Sequence, residues 1–304
     1  MKGERNDQEM IAFHYDVSNE FYKLFLDNDM VYTCAYFRDW NDDIHKAQRD
    51  KLDHVCRKLR LKPGDKLLDV GCGWGTLSCY AAKYYGVTAK GVTLSKDQYE
   101  LANTFIKERG LQDQVTVELR DFRDLPERDH YDKIAAIGIF EHIGVKNHDS
   151  YFDHLHKMLK PRGLFLHHAI TRRVTPDLSK FDRPTGYQRA ITRYIFPGGE
   201  LDYIGRTITN LERNGFEVHD TEALREHYRL TLVHWHDRLW ENREAAIALV
   251  GEEIVRLWLM YFALFVIGFD RGVCNLFQTL VSKRRLGASG LPPTRDDIYA
   301  RTSE

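Results

Sequence analysis

Asp69, Gly71, Gly73 and Gly75 occupy alternate positions in Lys66-Leu-Leu-Asp-Val-Gly-Cys-Gly-Trp-Gly75. The run reads as a buried strand that stops in a glycine-rich turn. Glycine takes positive φ there and leaves no Cβ between backbone and ligand. The helix from Thr76 presents free N–H groups toward the turn, and a nucleotide-like ligand belongs in the crevice at the carboxyl end of such a strand. The third glycine comes one residue too early for the dinucleotide fingerprint Gly-x-Gly-x-x-Gly. A tight βα turn without a ligand has the same composition, so the other strand ends must decide. After the second strand, Thr93 and Gln98 can hydrogen-bond a ribose or an amino-acid moiety, and Ser95 can serve as a helix N-cap. After the third, Asp121 can accept from an adenine amino group while Phe122 stacks on the ring. After the fourth, Gly138-Ile-Phe-Glu-His-Ile-Gly144 sets Glu141 and His142 in an apolar stretch, where a carboxyl is either structurally satisfied or functionally perturbed.

The elements that must hold these residues alternate. Residues 1–60 read as helices, with a start near Ser18 and a run from Ile44 to Leu59 whose lysines and arginines populate the outer face. Lys62-Pro-Gly-Asp65 then breaks the chain. Strands are expected at Leu67–Val70, Thr88–Thr93, Val115–Leu119, Tyr131–Ile137 and Leu164–Ala169, the last following a turn at Lys160-Pro-Arg-Gly163. Helices at Thr76–Tyr85, Lys96–Arg109 and Asp149–Leu159 separate them. The order implies an α/β fold, a mostly parallel sheet with helices on both faces. Pro176, Pro184 and Pro197-Gly-Gly199 interrupt it, and a cap inserted at about 171–205 is expected over the open end of the sheet. A helix Ile204–Asn214, a strand around Glu217–Thr221, helices Thr231–Ala246 and Glu252–Val266, and a strand Cys274–Ser282 closing an edge complete the sequence of elements. The tail from Leu286 reads as mobile.

Composition narrows the class. The 304 residues carry 43% hydrophobic and 29% charged side chains, an ordinary globular balance. A formal charge of −1 gives no field that would call for nucleic acid. The polar N-terminus does not read as a secretory signal. Five scattered cysteines, without CxxC or zinc spacing, suit reduced thiols in a cytoplasm and no metal. The apolar run Leu257–Phe269 is too short to cross a bilayer and reads as a buried helix or the lining of an apolar tunnel.

The spacing Asp-x-Gly-x-Gly-x-Gly resembles the first motif of S-adenosylmethionine-dependent methyltransferases. Over nearly its whole length the chain resembles one family of these, the cyclopropane fatty acid synthases, including the mycolic acid cyclopropane synthases. Eight blocks in order carry the resemblance. They are His14-Tyr-Asp16 with Asn19-Glu-Phe-Tyr22, Tyr32-Thr-Cys-Ala-Tyr-Phe37, Leu68 to Gly75 and Val92-Thr-Leu-Ser95. Phe140-Glu-His-Ile-Gly144, His168-Ala-Ile170, Tyr194-Ile-Phe-Pro-Gly198 and His227-Tyr-Arg-Leu-Thr-Leu232 follow. The resemblance implies the class I methyltransferase (Rossmann-like) sheet with a helical cap. It also implies an N-terminal helical segment, 1–60, covering the active site ahead of a methyltransferase domain at 61–304. The chain looks like the compact form of the family, without the additional N-terminal domain of some members.

Carried over residue by residue, the resemblance makes Tyr32, Thr33, Asp69, Gly71, Gly73, Thr93, Leu94, Gln98, Asp121 and Phe122 contacts of S-adenosylmethionine. It makes Cys34, Glu141, His168, Ile170 and Tyr228 the cage of a bicarbonate ion, Cys34 and Ile170 through backbone groups. Thr33 stands where many relatives have Ser, Ala169 where they have Thr, and Arg123 near a position that is acidic in the mycolic acid enzymes. Taken singly, His168 is an ordinary core histidine and Cys34 a small buried hydrophobe, while His167 should face away from His168 across the strand.

The implied reaction is transfer of the cofactor methyl to a cis double bond of an unsaturated acyl chain, followed by proton removal that closes a cyclopropane. An alkene is a poor nucleophile and the resulting cation is quenched by water, so a dry pocket must hold it in line. Tyr15, Tyr32 or Tyr228 could face the cation. The acyl chain would arrive on a phospholipid or a carrier. For a phospholipid, Arg172, Arg173 and Lys180 would give the cap a basic edge for peripheral contact with the inner membrane surface, and relatives that act on membranes suggest a homodimer. Two other readings compete: an N- or C-methyltransferase of a small amine or specialised metabolite, and a non-catalytic cofactor-binding scaffold. The set Glu141, His168 and Tyr228 favours the lipid reaction.

Overall fold

The computed structural model describes residues 18–178, 181, 189, 192 and 198–299. Of the features read from the sequence, His14-Tyr-Asp16, Lys180, Pro184, Tyr194–Pro197 and much of the middle of the expected cap lie outside these residues.

Helix α1 (Asn19–Lys23) starts at Ser18, whose hydroxyl accepts from Phe21 N. Helix α2 (Ile44–Lys58) starts at Asp43, whose carboxylate accepts from the His45 and Lys46 amides and so satisfies two N–H groups that a helix start leaves free. Residues 24–43 between them hold no helix, contrary to expectation, and this loop carries Tyr32–Cys34. Strand β1 (Lys66–Val70), α3 (Thr76–Tyr85), β2 (Thr88–Thr93), α4 (Lys96–Glu108), β3 (Val115–Leu119), β4 (Tyr131–Ile137) and α5 (His148–Met158) alternate as expected. Strand β5 (Leu159–Arg172) begins earlier than the sequence suggests. The Lys160–Gly163 turn is absorbed as an irregular start, with Arg162 at φ 65° and a register shift between Tyr131 and Lys133. Next come α6 (Ile204–Arg213), β6 (Phe216–Ala223), α7 (Arg225–Glu241), α8 (Arg243–Val250), α9 (Glu252–Asp270), β7 (Cys274–Lys283) and α10 (Asp296–Tyr299). The single helix expected over Thr231–Ala246 is two, broken at Asn242.

The sheet has seven strands in the order β3-β2-β1-β4-β5-β7-β6. The five strands from β3 to β5 are parallel, and β7 runs antiparallel to both neighbours. Strand β7 therefore does not close an edge: it is buried between β5 and β6, and β6 is the edge. Its inward position suits its burial, since Leu276, Gln278, Thr279, Leu280 and Val281 are all nearly inaccessible. One apolar layer packs α2, α3 and α4 against the sheet through Leu52, Val55, Ala81 and Ala102. A second lies under α5 and α6, around Phe152, Leu155, Phe165 and Leu211. A third, mostly aromatic, joins α1, α7 and α9 through Phe21, Phe25, Trp235, Trp258 and Phe262. Helix α9 contains the apolar run Leu257–Phe269, and no helix among the described residues is long and apolar enough to cross a membrane.

Three further expectations fail where groups distant in the sequence meet. Lys51 and Lys58 of α2 do not lie on the outer face but are 3% and 0% exposed. The tail after Leu286 is docked, not loose: Ile298 is buried against the α2–α3 layer, and Arg60 holds Asp297 at 2.7 Å. Arg172 turns inward too, its guanidinium 3.5 Å from the Phe181 ring centroid and bonded to Leu201 O, so it is not part of a free basic edge. Arg173 is exposed.

His167 faces away from His168, as alternation requires, into rings of Phe140, Phe152 and Phe165 at 4.5, 5.4 and 5.9 Å. Neither ring nitrogen has a partner. Burial, helped by His148, pushes its pKa down to about 3. A histidine whose folded value lies below its unfolded one stabilises the fold above the unfolded value and loses that contribution as pH falls through it. Lowering the pH from about 7 to about 5 should therefore remove roughly 2 kcal/mol through this ring alone. His167→Phe is expected to flatten that acid limb in denaturant titrations, and an unchanged pH dependence would contradict the assignment.

Candidate active site

A pocket opens at the carboxyl ends of β1, β2 and β4 and gathers all ten of the residues expected to bind the cofactor. Tyr32, Thr33, Asp69, Gly71, Gly73, Thr93, Leu94, Gln98, Asp121 and Phe122 all line it. The turn after β1 is packed to its limit. Gly71 lies at φ 73°, and a Cβ built on it would come 2.9 Å from Ile139 Cδ1. A Cβ on Gly91, in the neighbouring strand, would come 2.8 Å from Cys72 Sγ. The turn thus rests directly on β2, and larger residues at either place would push it into the pocket. Gly75 begins α3 in the left-handed region with no side-chain cap, leaving the first amides of that helix to the pocket end.

Asp69 is 2% exposed and accepts from Ser78 Oγ at 3.0 Å. Burial raises its pKa to about 6, against the pull of Ser78 and Lys51. Thr93 Oγ1 donates to Gln98 Oε1 at 2.8 Å, which holds both side chains at the end of β2. Ser95 caps α4 by accepting from Gln98 N. Asp121 accepts from the Arg123 amide and guanidinium at 2.9 Å, so its carboxylate is already shared. Phe122 packs edge-on to Tyr151 at 5.6 Å. On the opposite wall, Tyr32 and Thr33 come from the 24–43 loop. Gln48 anchors that loop by donating to Thr33 O at 2.8 Å.

The five residues of the expected cage are placed as follows. Glu141 follows β4 in a short 3-10 turn and is 9% exposed. Its Oε1 accepts from Ile170 N at 2.6 Å, so that amide of β5 is already engaged. Its Oε2 is buried with no hydrogen-bond partner. Burial raises the carboxyl pKa to about 7, only partly offset by the Ile170 amide. His168, two residues before Ile170 on the same face of β5, is 1% exposed, and Gln278 Nε2 lies 3.1 Å from its Nδ1. Burial pushes its pKa well below the usual histidine value. With that amide donating, the ring is neutral and carries its proton on Nε2. Cys34 is 1% exposed and its thiol pKa is pushed far up by burial, so it offers backbone groups and not a thiolate. Tyr228, 8% exposed on α7, packs against Phe269 at 4.9 Å. Glu141 and Ile170 are in direct contact, and the charge of Lys51 is felt at both Cys34 and His168.

The pocket also contains residues that the sequence reading did not select: Lys51, Trp74, Ile139 and Met30. Trp74 is fixed by donating from Nε1 to Asn19 Oδ1 at 2.7 Å. Lys51 had a legible signal, because it shares the helical stripe of Ile44, Ala47, Gln48, Leu52 and Val55, all of which are buried. The other three carried none beyond lying next to a motif.

The profile of the mycolic acid cyclopropane synthetase family matches residues 2–279 of this chain. A probable fatty acid methyltransferase of Pseudomonas putida is 44% identical over 298 residues, covering 97% of this chain and 74% of that protein. The cyclopropane-fatty-acyl-phospholipid synthase of Escherichia coli K12 is 36% identical over 270 residues, 89% of this chain and 66% of that protein. The chain thus spans about two thirds to three quarters of the length of these two relatives. Among solved structures, mycolic acid cyclopropane synthase CmaA1 complexed with SAH and CTAB superposes with a TM-score of 0.85 at 33% identity, covering 93% of this chain and 100% of that one.

Proposed function

Because the chain belongs to the mycolic acid cyclopropane synthetase family, whose fold is that of the class I S-adenosylmethionine-dependent methyltransferases, we propose that it converts a cis double bond of an unsaturated fatty acyl chain into a cyclopropane. The unpartnered Oε2 of Glu141 carries this reading. A buried carboxyl with one oxygen bonded and one bare costs stability unless a ligand or a proton completes it.

The pocket residues fit S-adenosylmethionine: a cradle that no Cβ would enter at Gly71, a buried carboxyl at Asp69, and fixed polar groups at Thr93 and Gln98. Bound there, the cofactor supplies an activated methyl group. The side chains of Glu141, His168 and Tyr228, with backbone groups of Cys34, would hold bicarbonate, which would supply a base for removing a proton from the added carbon; the Ile170 amide, bonded to Glu141 in this structure, joins them only by releasing that carboxyl. His168 can donate from Nε2 to such an anion. Glu141, near half-protonated at neutral pH, can share its proton with it, so that two full negative charges need not stand side by side. The aromatic layer of Tyr22, Phe25, Trp235 and Trp258 packs behind Tyr32, which lines the pocket. It keeps water from a cationic centre and offers ring faces to it.

The acyl lipid, phospholipid or carrier-bound, is the proposed partner, reached by peripheral contact with the inner face of a membrane. Expression in a host with unsaturated lipids, followed by lipid mass spectrometry, tests the reading. A gain of one CH2 per acyl chain with loss of the double bond is expected, in place of a branched methyl product. Unchanged lipids from folded, cofactor-binding protein would overturn it.

A further inference from the structure

We infer that Lys51 supplies the positive charge that holds the α-carboxylate of the bound cofactor. The inference rests on the methyltransferase reading and concerns a residue outside the expected contact set.

S-adenosylmethionine carries an amino-acid end with a carboxylate, and its demethylated product keeps that end. In a low-dielectric pocket such a group needs a counter-charge or several donors. Three full cations line this pocket: Lys51, Arg120 and Arg123. Arg123 is committed to Asp121, and Arg120 lies 3.1 Å from Glu118. Both sit at the end of β3, beside Asp121 and Phe122, the residues the family resemblance assigns to the adenine. The sheet order β3-β2-β1-β4 makes the pocket run from there toward β4. Lys51 is at that far end. Its Nζ donates to Thr33 Oγ1 at 2.9 Å, and Thr33 packs on Gly138, whose Cβ, if present, would lie 3.1 Å from Thr33 Cγ2. With the adenine at the β3 end, as the proposed function has it, the amino-acid end of the cofactor falls on this side of the pocket.

Lys51 is also short of an anion. It is 3% exposed, and among the described residues no carboxylate comes within 4.0 Å of it, whereas Lys58 two turns on has Glu222 at 2.6 Å. Asp27 spends its two oxygens on the amides of Val31 and Asp29. Burial lowers the Lys51 pKa to about 8, with Asp27, Cys34 and Asp69 pulling the other way. A lysine kept in a dry wall without an ion-pair partner, aimed into the pocket with two of its three donor positions left, is a site prepared for an incoming carboxylate.

The test is a binding comparison by calorimetry, using S-adenosylhomocysteine and 5′-methylthioadenosine, which lacks the amino-acid end. Lys51→Met, similar in length and apolar, is expected to weaken S-adenosylhomocysteine by about 30-fold or more while 5′-methylthioadenosine changes by less than about threefold. Lys51→Arg should recover part of the loss. Equal losses for both ligands would mean a structural role and would overturn the inference, as would no loss for either. Intact S-adenosylhomocysteine binding with a raised bicarbonate requirement for turnover would overturn it as well, assigning the charge to the Glu141–His168 cage. If the unsubstituted protein binds neither nucleoside, the methyltransferase reading itself fails, an outcome distinct from all of these.

Discussion

Glu141→Gln is expected to lower turnover by about 10²–10⁴-fold, the range of a lost acid–base group, while S-adenosylhomocysteine binds as before. The amide keeps the shape of the side chain and can still accept from Ile170 N, so the bond that ties the β4 turn to β5 survives. What it lacks is a transferable proton. The same substitution has a stability signature of opposite sense. The carboxyl pKa rises from an ordinary 4.5 to about 7 on burial. Its stabilising protonated form is fully present below the unfolded value, and that contribution is lost as pH rises through about 7. Gln mimics the protonated acid, so the variant should resist alkaline destabilisation better than the parent although it is nearly inactive. Lipid turnover and denaturant titrations at neutral and mildly alkaline pH measure both. Activity retained within about threefold would remove Glu141 from proton handling.

What the sequence disclosed, and what it withheld, divides along a physical line. Strands β1 to β4 and helix α3 were legible nearly to the residue because each is a short apolar run closed by Gly, Pro or a capping side chain, signals that lie next to one another in the chain. Of the residues that line the pocket, Asp69, Gly71, Thr93, Leu94 and Asp121 were legible for the same reason, since each lies at or just past the end of a strand, whereas Tyr32 and Thr33 come from a loop and were reached only through the family resemblance. The positions of Lys58 and β7 were not. A lysine on a helix reads as solvated unless its partner is known, and Glu222, the partner of Lys58, lies 164 residues away. Strand β7 looks terminal in sequence and is internal in space, because sheet order depends on which edge the chain returns to across α7, α8 and α9. The orphaned oxygen of Glu141 could not be read from the sequence either, since it depends on where β5 places the Ile170 amide.

That distant pair sets the second expectation. Lys58 is fully buried, with its ammonium 2.6 Å from Glu222 Oε2 and 3.6 Å from Asp220. Burial works against the charge on Glu222, but the His54 bond and the Lys58 ammonium outweigh it and hold its pKa at about 2. Burial also pushes the pKa of His54 below its ordinary value, so at neutral pH His54 donates as a neutral ring and Lys58 alone balances the carboxylate. Glu222→Ala is therefore expected to destabilise the protein by about 3–5 kcal/mol, because it leaves a buried ammonium facing only the more distant Asp220. Replacing both partners together, Lys58→Met with Glu222→Leu, should recover most of that loss. The consequence reaches the active site. Tyr36 is stacked between His54 at 4.1 Å and His227 at 4.8 Å, and His227 accepts from Phe37 N. The ion pair thereby braces the loop that carries Cys34 and the turn of α7 that carries Tyr228. If the cage depends on this brace, the single variant should lose turnover even below its melting temperature, and the double variant should regain fold before function. A single variant as stable as the parent would show that Lys58 finds another partner and that the pair is not a support.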